Sequence, residues 1–97
     1  MFHKLKQFND LRKQANKIKS RLAEETVTME NKAVKIVMDG NQEVKEFSIN
    51  DDYAGAEHKR DLEGKIKEAM NEVIKKAQRV MAQKMRESGD LNIPGLT

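Results

Sequence analysis

The residues that could carry out catalysis or hold a metal are few and stand apart from one another. Among the 97 residues there is no cysteine, which excludes thiolate nucleophiles, disulfides and Cys-ligated metal sites. His3 and His58 have no acid or nucleophile at the spacing of a catalytic constellation, so we expect both on the surface. Asp51 and Asp52 follow a predicted strand, where carboxylates commonly cap the next helix. We therefore expect no catalytic residue and no metal site.

Motifs for cofactor binding are absent as well. The chain contains no GxGxxG, no GxxxxGK[ST], no HExxH and no EF-hand loop, the spacings that position dinucleotides, nucleotides, zinc and calcium. We predict no cofactor, no small-molecule substrate and no enzymatic activity. An enzyme is the least favoured of three functional hypotheses.

Charge is distributed unevenly along the chain, although the formal net charge is only +3. Residues 1–25 carry seven Lys or Arg against three acids, residues 26–54 carry three against six, and residues 55–88 carry nine against six. Two basic segments thus flank an acidic one. Segregated positive charge is typical of proteins that bind polyanions. The competing interpretation is that Lys-rich helices are simply solvated.

Residues 1–25 have the pattern of one amphipathic helix. Apolar residues recur every three or four positions from Leu5 to Leu22, which places them on one side. At about 100° per residue, the basic residues Lys6, Lys13, Lys17 and Arg21 fall on the opposite side. The helix is therefore apolar on one side and basic on the other.

Residues 26–50 have the alternation of three short strands. The segment from Asp39 to Gln42 supplies residues that tolerate the positive φ of a tight turn. In the third strand, strict alternation would place Lys45, Phe47 and Ile49 on one face. The sequence predicts an antiparallel meander with two open edges, and an open edge favours pairing with a second copy.

Residues 56–88 form the second predicted helix. Its first turns are expected to be irregular, because Gly55 and Gly64 each disfavour a helix by about 1 kcal/mol relative to alanine. Beyond them an apolar face opposes a basic face, and Lys84 lies in the apolar sector, which predicts that the helix has run past the core there. Gly89 would end the helix, and residues 89–97 are expected to form a tail.

Together these segments predict one α+β domain over residues 1–97, with the order α-β-β-β-α and a three-stranded antiparallel sheet flanked by two long helices. Only 37% of the residues are apolar, so a domain of this size has a thin core and self-association is expected. No stretch approaches the roughly 18 apolar residues of a membrane span, and the N-terminus lacks a signal-peptide pattern. We expect a cytoplasmic protein with no membrane partner.

Basic helix faces attract phosphates by charge and carry no base preference of their own. The aromatic residues Phe2, Phe8, Phe47 and Tyr53 are mostly expected in the core, which disfavours single-strand recognition by base stacking. The first hypothesis is therefore a homodimer that binds duplex DNA. Its predicted DNA-binding residues are Lys6, Lys13, Lys17, Arg21, Lys75, Lys76, Arg79, Lys84 and Arg86.

The local strings and their order resemble one protein family. The first-helix string runs from Leu11 to Ile18, and the hairpin strings run from Ala33 to Gly40 and from Glu43 to Lys45. Ala69 to Ala77 and the Pro-Gly tail complete the pattern. In this order and spacing the chain resembles the YbaB/EbfC nucleoid-associated protein family over nearly its whole length.

This resemblance implies a bacterial cytoplasmic protein located at the nucleoid. It also implies a tweezer-shaped homodimer in which strands of two subunits join and the long helices protrude as arms. Members of the family bind DNA with little sequence preference, and effects on nucleoid organisation or gene expression are the expected consequence.

The second hypothesis is a helical protein-interaction module. A prefoldin-like holdase, or an adaptor to a DNA-repair or replication protein, would also use helix–hairpin–helix order and Met-rich helix surfaces. Prefoldin-type arms are usually much longer than the residues available before Thr26, which disfavours the holdase.

Overall fold

The computed structural model describes residues 2–87, with side chains from residue 5 onward. The order of elements confirms the predicted α+β arrangement. The elements are α1 (Phe2–Glu24), β1 (Thr26–Glu30), β2 (Val34–Asp39), β3 (Val44–Ile49) and α2 (Lys59–Glu87), with 3-10 turns at Asp51–Tyr53 and Ala56–His58. The predicted helix end at Gly89, the tail over residues 89–97 and the side chains of Phe2 and His3 lie outside the described residues.

The three strands form an antiparallel sheet in the order β1-β2-β3. One face of β2, with Val34, Ile36 and Met38, is buried beneath α2. From α2 the side chains of Ala69, Val73 and Ala77 complete this core, spaced by four residues so that they form one line along the helix. Two of these three are alanines, so the helix backbone lies close to the sheet and the core is thin.

The turn between β1 and β2 is organised by Asn31. Its Oδ1 accepts hydrogen bonds from the N–H groups of Ala33 and Val34, at 2.9 and 3.1 Å. Its Nδ2 donates to the carbonyl oxygen of Lys65 at 3.0 Å. One asparagine thus closes the turn and fixes α2 against it.

The turn between β2 and β3 depends on a buried carboxylate. Asp39 is fully buried, and its Oδ1 accepts hydrogen bonds from the N–H groups of Asn41 and Glu43, at 2.8 and 3.0 Å. The positive φ in this turn, 63°, falls on Gln42. Gly40 serves a different need, since its N–H donates to the carbonyl oxygens of Leu22 and Glu25, both at 2.9 Å, where α1 ends.

A β-bulge changes the predicted faces of β3. Ile49 and Phe47 pair with Val34 and Ile36, but Val44 pairs with Met38, so that Lys45 is an extra residue on β3. The prediction that Lys45 shares a face with Phe47 by strict alternation is therefore wrong. The ammonium of Lys45 instead lies 3.4 Å from Asp39 Oδ2 and 3.3 Å from Glu43 Oε2.

The connection from β3 to α2 is capped by an amide rather than by the predicted carboxylates. Asn50 Oδ1 accepts a hydrogen bond from the N–H of Asp52 at 3.0 Å, and Asn50 Nδ2 donates to the carbonyl oxygen of Lys32 at 3.1 Å. Asp51 and Asp52 lie exposed in the 3-10 turn that Asn50 caps. The expectation that these two carboxylates cap α2 is wrong, because α2 begins only at Lys59.

The helix α1 packs on the last turns of α2 and on the β2–β3 turn. Leu22 is buried there and lines an apolar groove together with Ile18, Met81 and Met85. The molecule measures 64 × 21 × 20 Å. Since 29 residues of helix span only about 43 Å, the length of the molecule requires α1 to extend beyond the end of α2.

Candidate nucleic-acid interface

The predicted basic residues of α1 form an exposed ridge. Lys13, Lys17 and Arg21 follow one another at intervals of four residues and are all exposed. Together with Asn16 and Ser20 they line a shallow depression. Within residues 2–87 no acidic side chain forms an ion pair with them. Lys6 lies exposed further along the same side of α1.

The α2 ridge comprises Lys75, Arg79 and Arg86, which are all exposed. Lys75 is 3.8 Å from Glu72 Oε1, an ion pair between solvated groups that contributes little stability. Arg79 and Arg86 line a second shallow depression with Gln83 and Glu87. The Glu87 carboxylate lies 3.4 Å from Lys84 Nζ, and neither arginine forms an ion pair among the described side chains. The ridge therefore presents cations to solvent.

Lys76 does not belong to this exposed ridge. Its Nζ donates to the carbonyl oxygen of Thr28, on β1, at 3.0 Å, and its side chain is half-buried. An edge strand exposes backbone groups that can pair with another chain, and a lysine placed on such a group blocks the edge. Lys76 thus covers the free edge of β1.

Lys84 joins the end of α1 to α2. Its ammonium lies 3.1 Å from Glu25 Oε1 and 3.4 Å from Glu87 Oε2. The hydrogen bonds that Lys84 donates to the Glu25 carboxylate, and next to the Glu87 carboxylate, raise the pKa of Lys84, so it is cationic at neutral pH. The sequence placed Lys84 in the apolar sector of α2, and the structure shows the acid that it meets there.

Among the described residues nothing pairs with the free edge of β3, in contrast to that of β1. All six residues of β3 are exposed. Phe47 and Ile49 lie on the face that α2 covers over β2, yet their exposures are 45% and 40%. This strand combines an unblocked backbone edge with an uncovered apolar face.

The outer half of α1 also exposes apolar side chains. Leu5 and Phe8, in the outer turns of α1, are 60% and 63% exposed, and Leu11, which lines the outer part of the groove towards Met85, is 42% exposed. The expectation that Phe8 and Phe47 occupy the core is therefore wrong. Tyr53, by contrast, packs against the core as a half-buried residue.

The structure shows two further exposed basic residues that the angular positions on α1 did not select. Arg12 and Lys19 are exposed on the flank of α1 between its apolar and basic sides. Their charge was visible in the sequence, but their angular position placed them away from the ridge.

Among the residues that the structure describes, no group of His, Cys, Asp or Glu could hold a metal ion. No helix in residues 2–87 is long and apolar enough to cross a bilayer.

Comparison with known proteins shows a match over most of the chain. The family model described as the YbaB/EbfC DNA-binding family matches residues 1–90. A nucleoid-associated protein of Pelotomaculum thermopropionicum is 34% identical over 95 residues, which cover 95% of this chain and 90% of that protein. A nucleoid-associated protein of Thermoanaerobacter pseudethanolicus is 30% identical, covering 95% and 86%. One from Clostridium acetobutylicum is 32% identical, covering 91% and 88%.

Proposed function

The chain belongs to the YbaB/EbfC DNA-binding family, and from this premise we propose that it is a homodimeric nucleoid-associated protein. It binds duplex DNA through phosphate contacts, with little preference for sequence. It acts in the bacterial cytoplasm, where binding of this kind affects nucleoid organisation or gene expression. The names of the three relatives support the association with the nucleoid.

The exposed basic ridges are the observation that carries this proposal. On α1 the ridge from Lys13 to Arg21 spans about 12 Å, since each helical residue rises about 1.5 Å. Duplex DNA carries one negative charge per roughly 1.7 Å of its axis, so a ridge of this length faces several phosphates. Because these cations have no acidic partner among the described residues, they can contact phosphates without breaking an ion pair.

The proposed contact set follows from exposure. It comprises Lys6, Lys13, Lys17, Arg21, Lys75, Arg79 and Arg86. Lys76 and Lys84 are assigned to the fold instead, because their ammonium groups bind Thr28 and Glu25. None of these side chains has a geometry fixed by neighbours to read one base, which agrees with binding that does not depend on sequence.

Neutralising the α1 ridge tests the contacts. The variant Lys13→Gln/Lys17→Gln/Arg21→Gln should weaken binding to all duplexes alike and flatten the plot of log K against log salt by about three units. A matched control, Lys32→Gln/Lys35→Gln/Lys59→Gln, removes the same charge from other exposed positions and should change both quantities less. Equal effects of the two triple variants would refute the assignment.

We propose that two copies pair through β3. The β1 edge is blocked by Lys76, whereas β3 has a free edge beside an apolar face that includes Phe47 and Ile49. Antiparallel pairing of two β3 strands would join the sheets and let a second copy cover these side chains. The long axis of each copy would remain free to extend as an arm.

A second candidate function is favoured by the exposed apolar side chains of α1. Leu5, Phe8 and Leu11 could contact a partner protein, as in a holdase or an adaptor to a DNA-repair or replication protein. The two functions are separated by one comparison. Suppression of client aggregation, with no mobility shift of duplex DNA at low salt, would support the second candidate over the first.

A further inference from the structure

We infer that each chain has two duplex-binding faces on opposite sides of its helix pair, and that it can therefore hold two duplexes at once. The inference rests on the proposed function. The two faces are the α1 ridge (Lys13, Lys17 and Arg21) and the α2 ridge (Lys75, Arg79 and Arg86). The juxtaposition of α1 and α2 determines how these ridges are directed.

The helices α1 and α2 run in opposite directions where they lie side by side. Glu25, just after α1, lies beside Lys84, and Asn31, further along the chain, lies beside Lys65. The chain therefore leaves α1 towards the beginning of α2. Because α1 extends beyond the end of α2 in a molecule 64 Å long, the two helices run antiparallel where they overlap.

Each ridge is turned away from the side of its helix that faces the other helix. On α1 the side chains that face α2 are Ala15, Ile18 and Leu22, and the α1 ridge is rotated by about 130° from them at 100° per residue. On α2 the side chains that face α1 are Met81 and Met85, and the α2 ridge is rotated from them by a similar angle.

Because the helices are antiparallel, the two rotations place the ridges on opposite sides of the helix pair. Seen along one axis, side chains advance clockwise along one helix and anticlockwise along the other. The rotation from the facing side chains to the ridge runs against the sequence order on α1, by about 130°, and with the sequence order on α2, by about 120°. Both rotations therefore turn the same way when seen along one axis. Because the two facing sides point towards each other, the α1 ridge comes to lie on one side of the helix pair and the α2 ridge on the other. The ridges lie at similar heights, since Arg21 and Arg79 belong to the turns where the helices overlap.

One straight duplex cannot contact both ridges of a single chain. The molecule is about 20 Å thick across its long axis, so a duplex would have to turn back around that thickness. The persistence length of duplex DNA is about 50 nm, or roughly 25 times this distance. Two separate duplexes can bind without such bending, and the exposed lysine and arginine side chains of both ridges give the two duplexes the same kind of phosphate contact.

The number of short duplexes bound per chain tests the inference. At low salt, with duplexes of about 12 base pairs, which span roughly 40 Å, analytical ultracentrifugation should show two duplexes per chain at saturation. The variant Lys13→Gln/Lys17→Gln/Arg21→Gln should bind one, and so should Lys75→Gln/Arg79→Gln/Arg86→Gln. The combined variant should bind none, while circular dichroism confirms that it remains folded.

A capture assay gives the second readout. Wild-type protein bound to a bead-linked duplex should retain a labelled second duplex, and the combined variant should retain none. Saturation of wild type at one duplex per chain or fewer, with both triple variants weakening that single complex, would overturn the inference and leave the proposed function standing. Absence of any duplex binding by the wild type would overturn both.

Discussion

At the scale of single residues, position along a helix predicted which lysines point away from the core. It could not predict which of these lysines bind another segment of the protein. Lys76 and Lys84 are each within reach of an oxygen contributed by a segment far away in sequence, Thr28 and Glu25. Such contacts depend on tertiary packing, which a helical wheel does not contain. Lys75 and Arg79, which are close to them on α2, have no such tertiary partner among the described residues and stay exposed.

This distinction predicts different effects for two pairs of substitutions. Arg79→Gln/Arg86→Gln should lower duplex affinity and flatten the salt dependence by about two units, because two phosphate contacts are lost. Lys76→Gln/Lys84→Gln should change duplex affinity less and lower the free energy of unfolding instead. Fluorescence anisotropy and urea denaturation measure the two quantities. An equal loss of affinity in both pairs would mean that Lys76 and Lys84 leave their partners to bind DNA.

Asp39 predicts a pH dependence of stability. Burial by itself would raise the pKa of Asp39, but hydrogen bonds from the N–H groups of Glu43 and Asn41, together with the ammonium of Lys45, outweigh it and hold the pKa below its ordinary value. A carboxylate with a lowered pKa stabilises the fold above its unfolded pKa, about 3.9, and this contribution is lost as the pH falls through the folded value.

The difference in unfolding free energy between wild type and Asp39→Asn should therefore be largest near neutral pH and shrink below about pH 4. Urea denaturation at pH 7 and at successively lower pH measures it. Asp51→Asn is a suitable control, since Asp51 is exposed in a 3-10 turn. A wild-type advantage over Asp39→Asn that stays constant down to pH 2 would contradict the role of the charged carboxylate.

At the scale of elements, the sequence predicted the order of helices and strands because the change from a period near 3.6 to a period of two is a local property. It did not predict the bulge at Lys45, and it predicted a positive φ within Asp39 to Gln42 without assigning it to Gln42. Both follow from Asp39, whose carboxylate bonds organise the turn only when β2 has buried it. Gly40 does not carry the positive φ of this turn, and a glycine is required there by its close approach to Leu22.

Two glycine substitutions should have opposite effects on stability. A Cβ at Gly64 would meet no atom within 4 Å, so Gly64→Ala should raise the free energy of unfolding by about 1 kcal/mol through helix propensity. A Cβ at Gly40 would lie 2.8 Å from Leu22 Cδ2 and 2.9 Å from the Leu22 carbonyl oxygen. Gly40→Ala should lower it by about 1–3 kcal/mol, since the backbone of α1 must shift.

Thermal unfolding at one protein concentration measures both variants. Gly64→Ala should melt about 4–8 °C above wild type, and Gly40→Ala should melt below it. A lowered melting temperature for Gly64→Ala would show that the glycine is needed for a contact outside the single chain. An unchanged one for Gly40→Ala would contradict the packing of α1 on the β2–β3 turn.

At the scale of the whole molecule, amphipathicity predicted a basic side for each helix. It could not predict in which directions these two sides point relative to each other. That relation depends on the antiparallel overlap of α1 and α2, which is a tertiary property. The two edges of the sheet also looked equivalent in the sequence. The structure distinguishes them, because Lys76 blocks one and leaves β3 open.

Pairing through β3 predicts that a charge on its apolar face prevents self-association. Phe47→Asp should sediment as a monomer, because an acid would be buried without a partner in the joined sheets. Phe8→Asp is a matched control, since it places the same substitution on an exposed phenylalanine of α1 and should leave the dimer intact. A dimeric Phe47→Asp variant with a native circular dichroism spectrum would exclude the β3 edge as the interface.

The most direct test of the central claim is the affinity of the wild-type protein for several duplexes of unrelated sequence across a salt series, measured by fluorescence anisotropy. Binding through phosphates predicts similar affinities for all duplexes at each salt concentration. It also predicts a steep linear fall of log K with log salt, with a slope of about −0.9 for each phosphate contacted. An affinity that differs strongly between sequences, or that does not respond to salt, would contradict binding through phosphates.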